Sequence, residues 1–152
     1  LRPLQICEDF LMSFVFDIAA AQQASAAGKY NQAIQNRNAQ VAEQESQRLA
    51  EQNEFDIARF DQQFSQLQGE TRTNILFSGA ELSGSGLRIL KYNAEQAQVE
   101  KDILSYNSKV AQSQKMEEAN FARMQGQVAR NEARVAQLGY YAKAGQSLMT
   151  MY

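Results

Sequence analysis

The chain lacks the residues on which much enzyme chemistry depends. Its 152 residues contain no histidine, no tryptophan and a single cysteine, Cys7. Without histidine, the chain can form neither a Ser-His-Asp triad nor a histidine-ligated metal site. A single cysteine excludes an intramolecular disulfide and favours assembly in a reducing compartment, and we expect an incidental role for its thiol. No paired carboxylates stand out, so we predict a protein that is not an enzyme and takes no cofactor, metal or small-molecule substrate.

Proline is also almost absent, and its one occurrence at Pro3 leaves the rest of the chain free to form helix. Alanine and glutamine are the commonest residues, and both are good helix formers. Large aliphatic residues are scarce, which argues against a thick core. We therefore predict an all-α fold, an elongated helical hairpin with arms at about 19–78 and 87–152. Because such a hairpin buries only one stripe per helix, we expect it to act within an oligomeric ring.

The only strongly apolar run covers residues 10–16, within an apolar N-terminal segment that we place at residues 1–18. The run is shorter than the ~20 apolar residues that span a bilayer, and it lacks the basic start of a signal peptide. It is predicted to be an anchor against partner subunits or an interfacial segment that meets a lipid surface after a conformational change. The first methionine is Met12, so residues 1–11 are expected to be an upstream extension or a processing remnant. The candidate anchor residues are Phe10, Leu11, Phe14, Val15, Phe16 and Ile18.

Both arms contain apolar residues at helical spacing. In the first arm, Ile57, Phe60, Phe64 and Leu67 are predicted to share one face, and Gly28 is expected to interrupt the helix. In the second arm, two stripes alternate steps of three and four residues, and no heptad pattern continues over many turns, which argues against a plain two-stranded coiled coil. The two stripes are Leu87, Leu90, Ala94 and Ala97, then Val99, Ile103, Tyr106 and Val110.

The arms are separated by a short segment of small residues, Gly79–Gly86, which reads Gly-Ala-Glu-Leu-Ser-Gly-Ser-Gly. Gly79 suits a helix C-cap, where a left-handed conformation is easy for glycine. Ser83 or Ser85 is expected to cap the next helix, and Leu82 to fold back onto the apolar end of the first arm. The segment lacks the Lys-Ser/Thr ending of a phosphate-binding loop.

The centre of the chain resembles the internal virion proteins of short-tailed, podovirus-type phages. The matching residues are Gly69-Glu70-Thr71-Arg72, then Gly79, then Leu82-Ser83-Gly84-Ser85-Gly86, followed by an aliphatic helix start at Leu87 and Leu90. The resemblance covers about residues 60–125 and has moderate specificity. It marks Gly69, Arg72, Gly79 and the Leu82–Gly86 run as a turn and assembly motif.

The resemblance implies a small core protein that sits inside the capsid near the portal and leaves it with or before the genome. Its implied partners are copies of itself in a ring, the portal and other internal core proteins. Proteins of this kind are thought to help form the genome-delivery channel across the host envelope. Contact with the host outer membrane after ejection and non-specific contact with packaged DNA stay open.

Two other classes compete with this interpretation. A generic helical scaffold or exported filament-type subunit shares the Ala/Gln/Asn/Ser bias, but gives no reason for the Gly-x-x-Arg and Gly-Ser-Gly elements. A nucleic-acid binder requires a basic stripe, and the formal net charge is only −2. The candidates for that stripe are Arg123, Arg130, Arg134 and Lys143, which Glu117, Glu118 and Glu132 dilute.

Overall fold

The protein folds as two long helices that pack against each other. The computed structural model describes the backbone of residues 2–79 and 84–149 and the side chains of residues 12–79, 84–147 and 149. Helix α1 covers Arg2–Phe77 and helix α2 covers Ser85–Met149, and the described residues form no strand. This hairpin-like arrangement confirms the all-α prediction. Leu82 and Ser83, and the side chains of Phe10 and Leu11, lie outside the described residues.

Helix α1 is continuous where the sequence predicted an interruption. It passes through residues 18 and 19 without a helix end, and also through Gly28, where the expected break is wrong. The Cβ of any other residue at position 28 would lie 2.2 Å from the Cβ of Ala133. Glycine therefore allows the two helices to pack closely at this position. This packing offsets the helix-propensity cost of glycine, which is about 1 kcal/mol relative to alanine.

The chain divides into two compact units. The terminal unit comprises residues 1–41 and 118–152, and the middle unit comprises residues 42–117. In the terminal unit, Gly28 lies against Ala133 while Gln35 lies against Gly126, so the two helices run antiparallel. Gly126 is buried, and a Cβ built there would lie 3.1 Å from the Cβ of Gln35. The two helices of this unit therefore approach closely over at least two turns.

The middle unit is also antiparallel, and polar side chains join its helices. Ser46 Oγ donates a hydrogen bond to the Gln112 carbonyl oxygen at 3.2 Å, and Ser108 Oγ donates to the Leu49 carbonyl oxygen at 3.2 Å. Further along, Lys101 Nζ forms an ion pair with Asp61 Oδ1 at 2.9 Å. The ion pair is partly exposed and contributes little, since exposed pairs are typically worth less than about 1 kcal/mol.

The residues at the facing ends of α1 and α2 include two glycines with positive φ. Gly79 has a φ of 73° and donates its amide to the Leu76 carbonyl oxygen at 3.2 Å. Gly84 has a φ of 75°, and its carbonyl oxygen accepts from the Arg88 amide at 3.2 Å. Gly84 therefore occupies the N-cap position of α2, and Ser85 is the first helical residue instead of the cap predicted from the sequence.

Candidate interaction surface

The described core consists of small side chains. Every buried hydrophobic residue is an alanine, and none of the described large side chains is fully buried. The buried polar residue is Ser46, at 7% exposure. The large apolar side chains lie mostly at the surface, which reverses the usual distribution in a soluble domain. The buried alanines are Ala21, Ala39, Ala42, Ala97, Ala119, Ala122 and Ala144.

In the middle unit, most exposed large apolar residues of α2 form one line, and Leu87 and Met116 lie off it. Between residues 89 and 110 they follow the alternating steps of three and four that mark the a and d positions of a heptad, with Gln96 as the one polar member. Each of the six apolar side chains is between 40% and 67% exposed. We call this line the α2 seam. Its members are Ile89, Tyr92, Gln96, Val99, Ile103, Tyr106 and Val110.

The α2 seam faces away from α1. The residues of α2 that contact α1 in this unit include Lys101, paired with Asp61, and Ser108, bonded to Leu49. At 3.6 residues per turn, Lys101 and Ser108 lie about 170° around the helix from the centre of the seam. In the middle unit, α2 therefore turns Ala97, Lys101 and Ser108 towards α1 and the seam residues outwards.

The terminal unit also exposes apolar residues on both of its helices. On α1, Met12 and Phe16 are followed by Tyr30, Ile34 and Val41, all at least 40% exposed. On α2, the line Phe121, Met124, Val128 and Val135 again steps by three, four and seven, and Leu138, Tyr141 and Met149 are also exposed. These two lines share the period of a helix face, so each forms an exposed apolar stripe.

The described anchor candidates belong partly to this exposed surface. Val15 is 60% exposed and Phe16 is 72% exposed, whereas Phe14 and Ile18 are half-buried. With Met12, the described part of the segment thus has three exposed apolar side chains. Among the described residues, neither helix holds a stretch long and apolar enough to cross a membrane.

The described residues of the turn and assembly motif lie in the middle unit. Gly69 and Arg72 line an open groove of about 490 Å³ together with Leu87 and Leu90 from the start of α2. This brings the Gly-x-x-Arg element of α1 beside the aliphatic residues with which the sequence grouped it. Gly86 is buried, and Ser85 is exposed.

A second groove, of about 380 Å³, is more apolar and was missed from the sequence. Phe60 and Phe64 lie in it with parallel rings, 6.4 Å between their centroids, next to Leu67, Gln96 and Ala97. The predicted stripe of α1 contains all three of its large apolar members, but periodicity alone did not show that they border an open groove. Because Gln96 belongs to both, this groove adjoins the α2 seam.

Arginines in the terminal unit line a polar groove. Arg130 Nη1 donates to Gln32 Oε1 at 3.2 Å, and the groove of about 450 Å³ also contains Arg134, Gln127 and Asn131. No carboxylate lines it. The glutamates expected to dilute the basic stripe do not enter this groove.

The described residues contain no group of three histidine, cysteine, aspartate or glutamate side chains placed to hold a metal ion. Every buried side-chain nitrogen and oxygen among them has a hydrogen-bond partner. The exposed apolar lines are therefore the most distinctive chemical feature of the described surface. Comparison of the chain with protein-family models, curated proteins and solved structures found no match.

Proposed function

We propose that the protein is a structural subunit that assembles through its exposed apolar helix faces. The main support is the distribution of side chains between core and surface. Alanines are buried, while the apolar residues of the α2 seam, such as Tyr92, Ile103 and Tyr106, are exposed. An isolated soluble protein rarely leaves such regular apolar lines in water. Contacts with copies of itself or with other proteins would bury them and supply the stability that the small core lacks.

The assembly that best fits the sequence is the internal core of a short-tailed phage. In this proposal the chain forms a ring with its own copies, contacts the portal and other internal core proteins, and is ejected to help deliver the genome. The support is the Gly69–Gly86 resemblance, together with the positive φ of Gly79 and Gly84, which suits a reversal between two helices.

A core of alanines suits a protein that must leave a capsid through a narrow opening. Free energy of unfolding depends largely on the apolar surface that folding buries, and among the described residues the buried hydrophobic side chains are alanines, while larger ones are at most half-buried. Such a chain can open and refold at lower cost than a domain with a thick core. In this role the protein would lie inside the virion before ejection and in the host cell envelope afterwards.

The proposal is tested by co-expressing the full chain with the portal and core proteins encoded in the same genome. We expect a complex that contains the portal and several copies of this chain, visible by sedimentation and electron microscopy. A chain that stays monomeric alone and also fails to bind these partners would overturn the proposal.

A second candidate, a helical scaffold or filament-type subunit without a membrane role, would bury the same exposed apolar lines against its neighbours. Vesicle flotation separates the two. The full chain is compared with a Val15→Ser, Phe16→Ser variant and with a Phe55→Ser control, which changes an exposed aromatic residue of the middle unit. Flotation lost only in the Val15/Phe16 variant supports delivery across the envelope. No flotation of any chain supports the scaffold.

A further inference from the structure

We propose that the α2 seam docks onto the α2 seam of a second copy of the chain, antiparallel and around a two-fold axis that passes between Leu104 and Ser105. This inference rests on the proposed function, in which copies of the chain assemble, and it names one surface and one geometry for that assembly. The seam is suitable because four of its six apolar residues, Val99, Ile103, Tyr106 and Val110, can form the layers of such a pair on the side of α2 that faces away from α1.

The charges beside the seam decide the direction of docking. One flank of the seam, at the heptad g positions, carries Arg88, Glu95, Asp102 and Lys109, and the other flank carries Glu100. In a parallel pair, g positions face e positions five residues further along the second copy, so Glu95 would face Glu100 twice. Like charges at such positions are destabilising, so the parallel arrangement is disfavoured.

In an antiparallel pair, g positions face g positions, and two registers can be compared. The register that places Tyr92 against Val110 of the second copy places Asp102 against Asp102 on one flank and Glu100 against Glu100 on the other, and these repulsions oppose its two Glu95–Lys109 attractions. Moving the second helix by one heptad places Asp102 against Lys109 of the second copy, and the two-fold axis repeats this attraction. The second register therefore combines opposite charges with apolar contacts, and we assign it to the pair.

The chosen register also gives a continuous apolar contact. Val99 meets Val110 of the second copy, Ile103 meets Tyr106, and symmetry repeats both contacts. Gln96 meets Ser113 at each end, so the apolar layers stop at polar ones. A polar residue at a core position is a known means of fixing register. The proposed contact covers residues 96–113 of each copy, about 27 Å of helix.

A two-fold contact of this kind closes on itself and joins only two copies. A ring of more copies then requires a different surface, and the exposed lines of the terminal unit, such as Phe121 and Val128, are available for it. The structure thus separates a pairing surface in the middle unit from a second apolar surface in the terminal unit.

Sedimentation velocity of the full chain over a concentration series tests the pairing. We expect Asp102→Lys and Lys109→Glu each to weaken self-association by about tenfold or more, because each replaces two attractions with two repulsions per dimer. The double variant should restore it. Glu51→Lys, an equal charge change at an exposed position of α1 in the same unit, is the control and should have no effect. In the rejected antiparallel register, Asp102→Lys would not weaken association and the double variant would not restore it; either result overturns the inference.

A second variant tests the apolar contact without relying on charge. Ile103→Ser removes a half-exposed side chain, so helical content by circular dichroism should stay unchanged while pairing is lost. If the chain self-associates and Ile103→Ser leaves that association intact, the inference fails while the proposed assembly function stands. If the chain is monomeric at all concentrations, the inference fails, and loss of vesicle flotation by the seam variants would then assign the seam to lipid binding.

Discussion

Gly28 lies so close to Ala133 that a Cβ at position 28 would stand 2.2 Å from the Cβ of Ala133. The next heavy atoms are the carbonyl oxygen of Ala129 at 3.5 Å and the Cα of Ala133 at 3.7 Å, so backbone atoms also limit the space. The terminal unit is therefore held by contacts between the surfaces of the helices themselves, with almost no side chain between them at this position.

This contact predicts that Gly28→Ala destabilises the protein, although alanine is the better helix former. The clash should cost about 1–3 kcal/mol, and the gain in helix propensity returns about 1 kcal/mol. Ala133→Gly should also destabilise the protein. In the double variant the methyl group lies on residue 28 instead of residue 133. The loss of stability in this variant should therefore be smaller than the sum of the losses in the two single variants. Urea unfolding of all four chains measures this coupling, and additive losses would contradict it.

Gly69 provides the opposite case within the middle unit. No heavy atom lies within 4 Å of a Cβ built at Gly69, and its φ is not positive. Gly69→Ala should therefore raise the free energy of unfolding by about 0.5–1 kcal/mol through helix propensity alone. The measurement is the shift of the urea midpoint. A lower urea midpoint for Gly69→Ala would contradict this prediction, because it would show that a Cβ at position 69 meets other atoms.

The serines between α1 and α2 in the middle unit are predicted to limit side-chain size. Ser46 is buried and donates to the Gln112 carbonyl oxygen, so Ser46→Leu should cost about 1–3 kcal/mol by overpacking. Ser65→Leu, at an exposed position of the same helix, is the matched control and should change stability by less than about 0.5 kcal/mol. Equal effects of the two variants on the urea midpoint would show that Ser46 is not confined.

The left-handed backbone of Gly79 predicts a graded response to substitution. Gly79→Ala should cost about 1–2 kcal/mol, and Gly79→Asn less, because asparagine tolerates this region better. The double Gly79→Val, Gly84→Val variant should disturb the reversal and block assembly, since β-branched residues strongly avoid positive φ. The stability order is read from thermal unfolding, and the assembly from sedimentation. Normal assembly of the double variant would show that neither glycine is needed for the reversal.

Composition was enough to predict the fold class, and the small-residue segment beginning at Gly79 predicted one helix end. The absence of proline after Pro3 and the abundance of alanine favoured helix throughout, and the first arm was expected to end at residue 78, next to the observed end at Phe77. Gly28 was misinterpreted because its tertiary contact with Ala133 outweighs its local propensity. The start of α1 was placed too late, because the apolar run at residues 10–16 was treated as a separate segment.

The sequence could not decide which face of α2 meets α1. It contains two stripes at helical spacing, one including Leu90 and Ala97 and the other including Val99 and Ile103. Periodicity predicts a face but not its partner, and hydrophobicity alone favours burying the second stripe. The structure places Ala97 in the core and exposes Ile103, because small side chains allow α1 and α2 to approach closely.

The order of contacts along the hairpin-like chain has a consequence for folding. Asp61 and Lys101 are 40 residues apart in sequence, Leu49 and Ser108 are 59 apart, and Gln32 and Arg130 are 98 apart. Once an inner contact forms, each outer contact closes only a short additional loop, so pairing proceeds outwards at little entropic cost. We expect the terminal unit to open before the middle unit, and amide hydrogen exchange should be faster near Gln32 and Arg130 than near Leu49 and Ser108. The apolar side chains of the terminal unit would then become fully accessible before those of the middle unit.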